Sequence, residues 1–134
     1  MRKIFLLLTM LISFSAVRAQ KIEGGGFSTM YNIDSDGTIR GSGFKKLGRI
    51  NSDGRVEDAD GKTIGYVESG RIQNAGHSTV GYVTDNGTVQ SSGYSTIGYI
   101  NKDGKVQGPG YRTIGYASGI KKEWAALIFF FFKF

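Results

Sequence analysis

A pattern recurring about every 17 residues constrains this chain more than any other feature, because a repeat period fixes architecture before local propensities are weighed. Its best copy spans residues 94–110, Tyr-Ser-Thr-Ile-Gly-Tyr-Ile-Asn-Lys-Asp-Gly-Lys-Val-Gln-Gly-Pro-Gly. Superposed copies place Tyr31, Gly48, Gly65, Gly81, Gly98 and Gly115 in one column, at intervals of 17, 17, 16, 17 and 17 residues. Each copy reads as two short strands rich in β-branched and aromatic residues, joined by a turn. The turn pairs are Asp36-Gly37, Asp53-Gly54, Ser69-Gly70, Asn86-Gly87 and Asp103-Gly104. Glycine there accepts the positive φ that a hairpin turn needs. The one short interval falls between Gly65 and Gly70, at a loop tip where length changes are tolerated.

Second turns separate the runs: Gly41-Ser42-Gly43, Asp58-Ala59-Asp60-Gly61, Asn74-Ala75-Gly76, Ser91-Ser92-Gly93 and Gly108-Pro109-Gly110. Cutting at the Asp-Gly turns gives five complete units, 38–50, 55–67, 71–83, 88–100 and 105–117. Residues 27–33 form a degenerate half-copy ahead of them. Five units, a spare half and a strand-like tail predict an all-β fold of β-hairpin repeats in a closed, pseudo-five-fold ring, which removes the edges short hairpins would expose.

The expected organisation runs from a leader at 1–19 through a polar lead-in at 20–26 and a repeat domain at 27–120 to an aromatic tail at 121–134. Arg2-Lys3, the apolar run from Ile4 to Leu11 and the small residues around Val17-Arg18-Ala19 have the layout of a secretory signal peptide cut before Gln20. The alternative is an N-terminal membrane anchor, for which the apolar run is short. Without Arg2, Lys3 and Arg18, the 17 basic residues fall to 14 against 11 acidic ones. They are scattered singly, with Lys45-Lys46 and Lys121-Lys122 as the only pairs, whereas a nucleic-acid binder clusters its charge. No nucleic-acid partner is expected. There are no cysteines, so disulfides, thiol catalysis and cysteine metal sites are excluded.

The Thr-Ile-Gly-Tyr-Ile, Asp-Gly and aromatic-Ser/Arg-Thr pattern, with a Trp-Ala-Ala and phenylalanine-rich end, resembles the small exported bacterial proteins called five-fold β-flower proteins. The resemblance covers nearly all of the chain after the leader and implies hairpin petals around an axis. It implies no activity and no functional residues. The chain departs from the pattern at Tyr31, at Gly61 (where other copies have Phe44, His77, Tyr94 and Tyr111) and at the short third turn.

Physical chemistry assigns the columns roles of its own. Leu47, Ile64, Val80, Ile97 and Ile114 are the expected core, each contributing about 1.5–3 kcal/mol if fully buried. The neighbouring glycines permit close approach of backbone or rings. Strand alternation places Ile97 with Tyr99 on one face and Thr96 with Ile100 on the other. The tail from Trp124 to Phe134 reads either as a last strand or plug completing the core, or as a membrane or partner anchor. It is too short for a membrane-spanning helix.

Few residues suggest chemistry. Asn32-x-Asp34-x-Asp36-Gly37 imitates the opening of a calcium loop, but the twelfth position is Gly43 where a bidentate glutamate is needed. Turn chemistry is the expected role of such residues. His77 stands in an aromatic column with no neighbour in sequence to orient it as a metal ligand or base. Acidic residues sit in or beside turns, and Gly24-Gly25-Gly26 lacks the lysine and helix of a phosphate loop. No catalytic residue, metal or cofactor is therefore expected. The candidate ligand-binding residues are Tyr66, Tyr82, Tyr99 and Tyr116, whose rings could stack on sugars. The competing role for them is core. The expected function is an exported, non-catalytic scaffold or binding module of the cell envelope. The alternatives are a weak glycan or small-ligand binder using the tyrosines, or a membrane-associated, toxin-like protein using the tail.

Processing is directly measurable. N-terminal sequencing of the exported protein should begin at Gln20, and retention of Met1 would remove the argument for export.

Overall fold

The computed structural model describes residues 20–24 and 29–134, so the stretch read as a leader lies outside the described residues. Twelve antiparallel strands close into a barrel: β1 (Gln20–Gly24), β2 (Thr29–Ile33), β3 (Thr38–Arg40), β4 (Lys46–Ile50), β5 (Arg55–Asp58), β6 (Thr63–Glu68), β7 (Arg71–Asn74), β8 (Thr79–Val83), β9 (Thr88–Ser91), β10 (Thr96–Ile100), β11 (Lys105–Gln107) and β12 (Thr113–Ser118). Each strand pairs with its sequence neighbours, and β1 meets β12 to close the ring. The five sequence units are the hairpins β3–β4, β5–β6, β7–β8, β9–β10 and β11–β12.

The polar lead-in is not outside this wall. Residues 20–24 form β1, which pairs with both β2 and β12, so the half-copy acquires a partner and becomes a sixth hairpin. One buried side chain, Ile22, anchors it opposite Ala117. Closure thus comes from the segment ahead of the repeats and not from a tail strand.

All hairpins share one interior layer. Ile33 faces Ile39 across neighbouring strands, Ile50 faces Val56, Val67 faces Ile72, Val83 faces Val89, and Ile100 faces Val106. With Ile22 and Ala117 these pairs form an apolar girdle, most of it fully buried. The column expected as core sits differently. Leu47, Ile64, Val80, Ile97 and Ile114 are only partly buried and pack at the margin of the core, because each precedes an interior glycine and alternation turns it from that face; the pairing slips by one residue beside each of them. Such a bulge breaks the two-residue alternation. Ile100 shares the interior face with Gly98 by alternation, while the bulge at Ile97 turns Thr96 out to solvent.

Turn chemistry explains the uneven period. In the 34–37 turn the Gly37 amide donates to the Asp34 carbonyl at 2.9 Å, and the 51–54, 84–87 and 101–104 turns repeat the bond. The short turn places both Ser69 (φ 50°) and Gly70 (φ 82°) in left-handed backbone, with Glu68 paired to Arg71. That is a two-residue hairpin turn, one type doing with fewer residues what the other four do.

A barrel of eight strands is filled by its own side chains, and larger ones enclose free space. Twelve strands lined by glycine need a plug, and the tail supplies it. Helix α1 (Lys122–Ala126) enters at the end of the barrel carrying the Asp-Gly turns and continues as a π-helical turn over Leu127–Phe131. Ala125, Ala126 and Leu127 are completely buried. Beyond them each ring lies against one wall glycine: Phe129 at Gly115, Phe130 at Gly98, Phe131 at Gly81, Phe132 at Gly65 and Phe134 at Gly48. Lys133, between the last two, is exposed. Tyr31, the sixth position of the column, carries a ring of its own, packed against the core.

The π turn has a geometric cause. Neighbouring hairpins in a ring of six stand about 60° apart, whereas successive residues of an α-helix turn by about 100°. Widening the helix to i→i+5 bonds brings successive side chains closer to the spacing of the wall. The Phe132 amide donates to the Leu127 carbonyl at 2.8 Å, which is such a bond. Phe132 itself is extended (φ −128°, ψ 149°), which throws Lys133 outward and returns Phe134 to the wall.

A Cβ added to Gly98 would press into the Phe130 ring and lie 2.6 Å from the Gln107 carbonyl oxygen. Gly98→Ala should therefore cost about 1–3 kcal/mol in urea unfolding. Phe130→Ala should cost about 3 kcal/mol. The double variant should cost less than the sum, since removing the ring relieves half the collision. A chain ending at Lys122 should show no cooperative transition, because total stability at this size is only about 5–15 kcal/mol.

Candidate functional site

With the interior filled, the candidate tyrosines stand on the outer wall. Tyr66, Tyr82, Tyr99 and Tyr116 follow the interior glycines by one residue, so alternation turns their rings outward, where they are half-buried. They are not core. Three of them pack against the loop aromatic of the following hairpin: Tyr66 on His77 with centroids 4.1 Å apart, Tyr82 on Tyr94 at 4.8 Å, and Tyr99 on Tyr111 at 4.7 Å. Interplanar angles of 16°, 12° and 8° make these parallel stacks. The hairpin loop that follows Tyr116 around the ring spans 25–28, outside the described residues.

The loop partner in each stack is strained. His77, Tyr94 and Tyr111 have φ of 64°, 69° and 65°, and Phe44 at the same position has 60°. Left-handed backbone costs a residue with a Cβ about 1–2 kcal/mol, and Gly61 occupies this position in the second repeat hairpin without that cost. Side chains of the preceding strand hold the loops in place. Gln73 Nε2 donates to the His77 carbonyl at 3.2 Å, Gln107 Nε2 to the Tyr111 carbonyl at 3.1 Å, and Arg40 to the Phe44 carbonyl at 3.2 Å.

Sequence reasoning identified both aromatic columns but not their pairing. One trace of it was visible: Gly61, the loop position without a ring, corresponds to Arg49, the strand position where the other four units carry tyrosine. The calcium-like segment is turn chemistry. The Asp36 carboxylate accepts from the Thr38 amide at 3.0 Å, which holds its carboxyl below the ordinary range, and Asp34 pairs with Arg40 at 2.8 Å. Asp53 and Asp103 accept from the amides two residues on, and Asp58 accepts from those of Asp60 and Lys62. Among the described residues, no three acidic or histidine side chains gather into a metal-binding group. Two clefts of about 420 and 440 Å³ flank α1 between the Asp-Gly turns, lined mainly by turn residues with Lys122 and Trp124 at their edges.

The phenols of two stacks bond to one another, Tyr94 to Tyr82 at 3.2 Å and Tyr99 to Tyr111 at 3.4 Å. These bonds, with partial desolvation, hold the Tyr82 and Tyr99 phenols above their ordinary range. The second proton to leave such a pair must leave beside a phenolate. A folded-state value above the unfolded one contributes stability that is complete below the ordinary phenol range and is lost as pH rises through the raised value. Phenolate absorbance should therefore develop later in the folded protein than in urea. Tyr111→Phe should bring Tyr99 back toward ordinary titration, and an unchanged profile would show that the hydroxyl bond is not the cause.

No curated protein and no solved structure matches the chain. A family model described as "5-fold beta-flower protein" matches residues 19–133, which takes in every strand of the barrel and nearly all of the tail. The chain belongs to the five-fold β-flower family.

Proposed function

We propose that the protein is an exported, non-catalytic binding module of the cell envelope, and that the aromatic ladder on its outer wall is the contact surface. The observation that carries this reading is the ladder itself. Three ring pairs stand outside the core, and one ring of each pair is exposed on backbone that a glycine would occupy at lower cost. Strain of that kind, held in place by neighbouring side chains, is a mark of functional positions. Export is supported by the leader-like layout of residues 1–19. The non-catalytic reading is supported by the carboxylates, four of which cap backbone amides in turns and are committed to structure.

Flat sugar faces are the ligand class that suits such rings, since a pyranose stacks its apolar face on an aromatic while phenols bond its hydroxyls. The phenols here are already paired, so a sugar competes for their bonds and affinity is weak. Titrating the mature chain with chito-oligosaccharides should perturb the tyrosine ring resonances of Tyr82, Tyr94, Tyr99 and Tyr111 before others. Tyr111→Ala should weaken binding severalfold with the unfolding transition retained. No perturbation of these rings by any oligosaccharide, or equal binding by Tyr111→Ala, would remove the reading.

A further inference from the structure

We propose that one arc of the barrel's loop end docks on an anionic lipid surface. The inference shares Tyr94 and Tyr111 with the sugar-binding reading but does not depend on it, because Met30, Phe44, Lys45, Lys46 and Arg112 lie outside the ladder. An up-and-down barrel gathers its hairpin loops at one end and its inter-hairpin turns at the other. Among the described residues, the exposed large apolar side chains are Met30, Phe44, Tyr94 and Tyr111, at 45%, 71%, 65% and 65% exposure. All four lie at the loop end. Around the ring they fall on four successive hairpins, β9–β10, β11–β12, β1–β2 and β3–β4.

Charge follows the same geometry. Lys45 and Lys46 adjoin Phe44, and Arg112 adjoins Tyr111, all three exposed. The loops 41–45, 92–95 and 108–112 contain no acidic residue. The loop-end acids Asp58 and Asp60 belong to β5–β6, beyond the arc, where Gly61 replaces the ring, and Glu23, opposite Thr29, is the acid that the arc contains among the described residues. The opposite end is mixed in charge, with exposed Asp36, Asp53, Asp85 and Asp103 in four of its five turns and exposed Lys102 and Lys121 among them. An anionic bilayer attracts the basic loop arc more than the mixed far end, which orients the barrel on the surface.

The shape of the patch favours lipid over a protein partner. Its apolar side chains are spread along a rim, interleaved with cations and amphipathic phenols, and the cleft between Met30 and Phe44 is small, at about 180 Å³. Rings at the headgroup level with basic residues beside them are the arrangement of interfacial membrane contacts. Phe44 is the sharpest member: it is the most exposed of the four, has no hydroxyl, and sits in left-handed backbone that Gly61 adopts in the next hairpin.

The test is co-sedimentation of the mature chain with vesicles of phosphatidylcholine alone and of phosphatidylcholine with phosphatidylglycerol. Binding should require phosphatidylglycerol and weaken as salt is raised. Lys45→Gln with Lys46→Gln should weaken it about 30-fold, taking each basic residue near the surface at about 1 kcal/mol. Phe44→Ser should weaken it with an unchanged unfolding transition, whereas Asp53→Asn at the far end should not weaken it. Equal binding to both vesicles, no binding to either, or indifference to Phe44→Ser would overturn the proposal. Oligosaccharide binding without vesicle binding sinks this inference alone, and vesicle binding without oligosaccharide binding sinks only the ladder reading.

Discussion

The contact between five wall glycines and five tail phenylalanines is the constraint on which the rest of this structure depends. Glycine inside a strand is unfavourable by roughly 0.5–1 kcal/mol relative to alanine. Full burial of a phenylalanine contributes about 1.5–3 kcal/mol. The rings here are half-covered, and even half of that range meets the cost of one glycine. The glycine serves a second neighbour at the same time. A Cβ on Gly48 would lie 2.6 Å from the Glu57 carbonyl oxygen and 2.8 Å from the Phe134 ring, so the column sets the spacing between hairpins as well as the fit of the plug. No other residue satisfies both.

Wall and plug consequently need each other. The hairpins pair locally, and each inter-hairpin turn is only two to four residues long, which favours rapid formation of the wall. Closure requires β1 to reach β12 from the other end of the repeat array, and the plug follows β12. Until both are in place the girdle around Ile39, Val56, Ile72, Val89 and Val106 has apolar surface open to water. The Lys121 ammonium over the Trp124 ring, at 5.2 Å from its centroid, marks where the plug leaves the lumen for solvent.

Much of this was legible in sequence, and the failures have physical causes. Hairpin limits follow from Asp-Gly and Asn-Gly turns, whose backbone demand is local. β1 was not legible, since Gln-Lys-Ile-Glu-Gly has a single apolar residue and owes its conformation to two distant strands. The bulges were hidden because alternation assumes unbroken pairing, and a slip of one residue at Ile97 moved Thr96 off the interior face that Gly98 and Ile100 share. Four consecutive phenylalanines carry no periodicity, so nothing local distinguished strand, plug and anchor. The number of rings matched the number of glycines, which is a trace of the fit, but a count without a register names no contact. The aromatic stacks were hidden for the same reason, their members being 11 or 12 residues apart and joined only by the pairing of neighbouring hairpins.

Repetition also shows where the chain is free to differ from itself. Interior positions hold glycine or an aliphatic residue in every repeat because five equivalent contacts must fit one plug. The loop position of Phe44, Gly61, His77, Tyr94 and Tyr111 is exposed, and across the five repeats it ranges from no side chain to a full ring. Left-handed backbone at that position makes glycine the residue of lowest cost. Four of five copies carry a ring against that preference, and three of those rings stack on a tyrosine of the preceding hairpin, a contact that offsets part of the backbone cost. The second repeat hairpin, with Gly61 opposite Arg49, is the internal control: the fold accommodates the position without a ring.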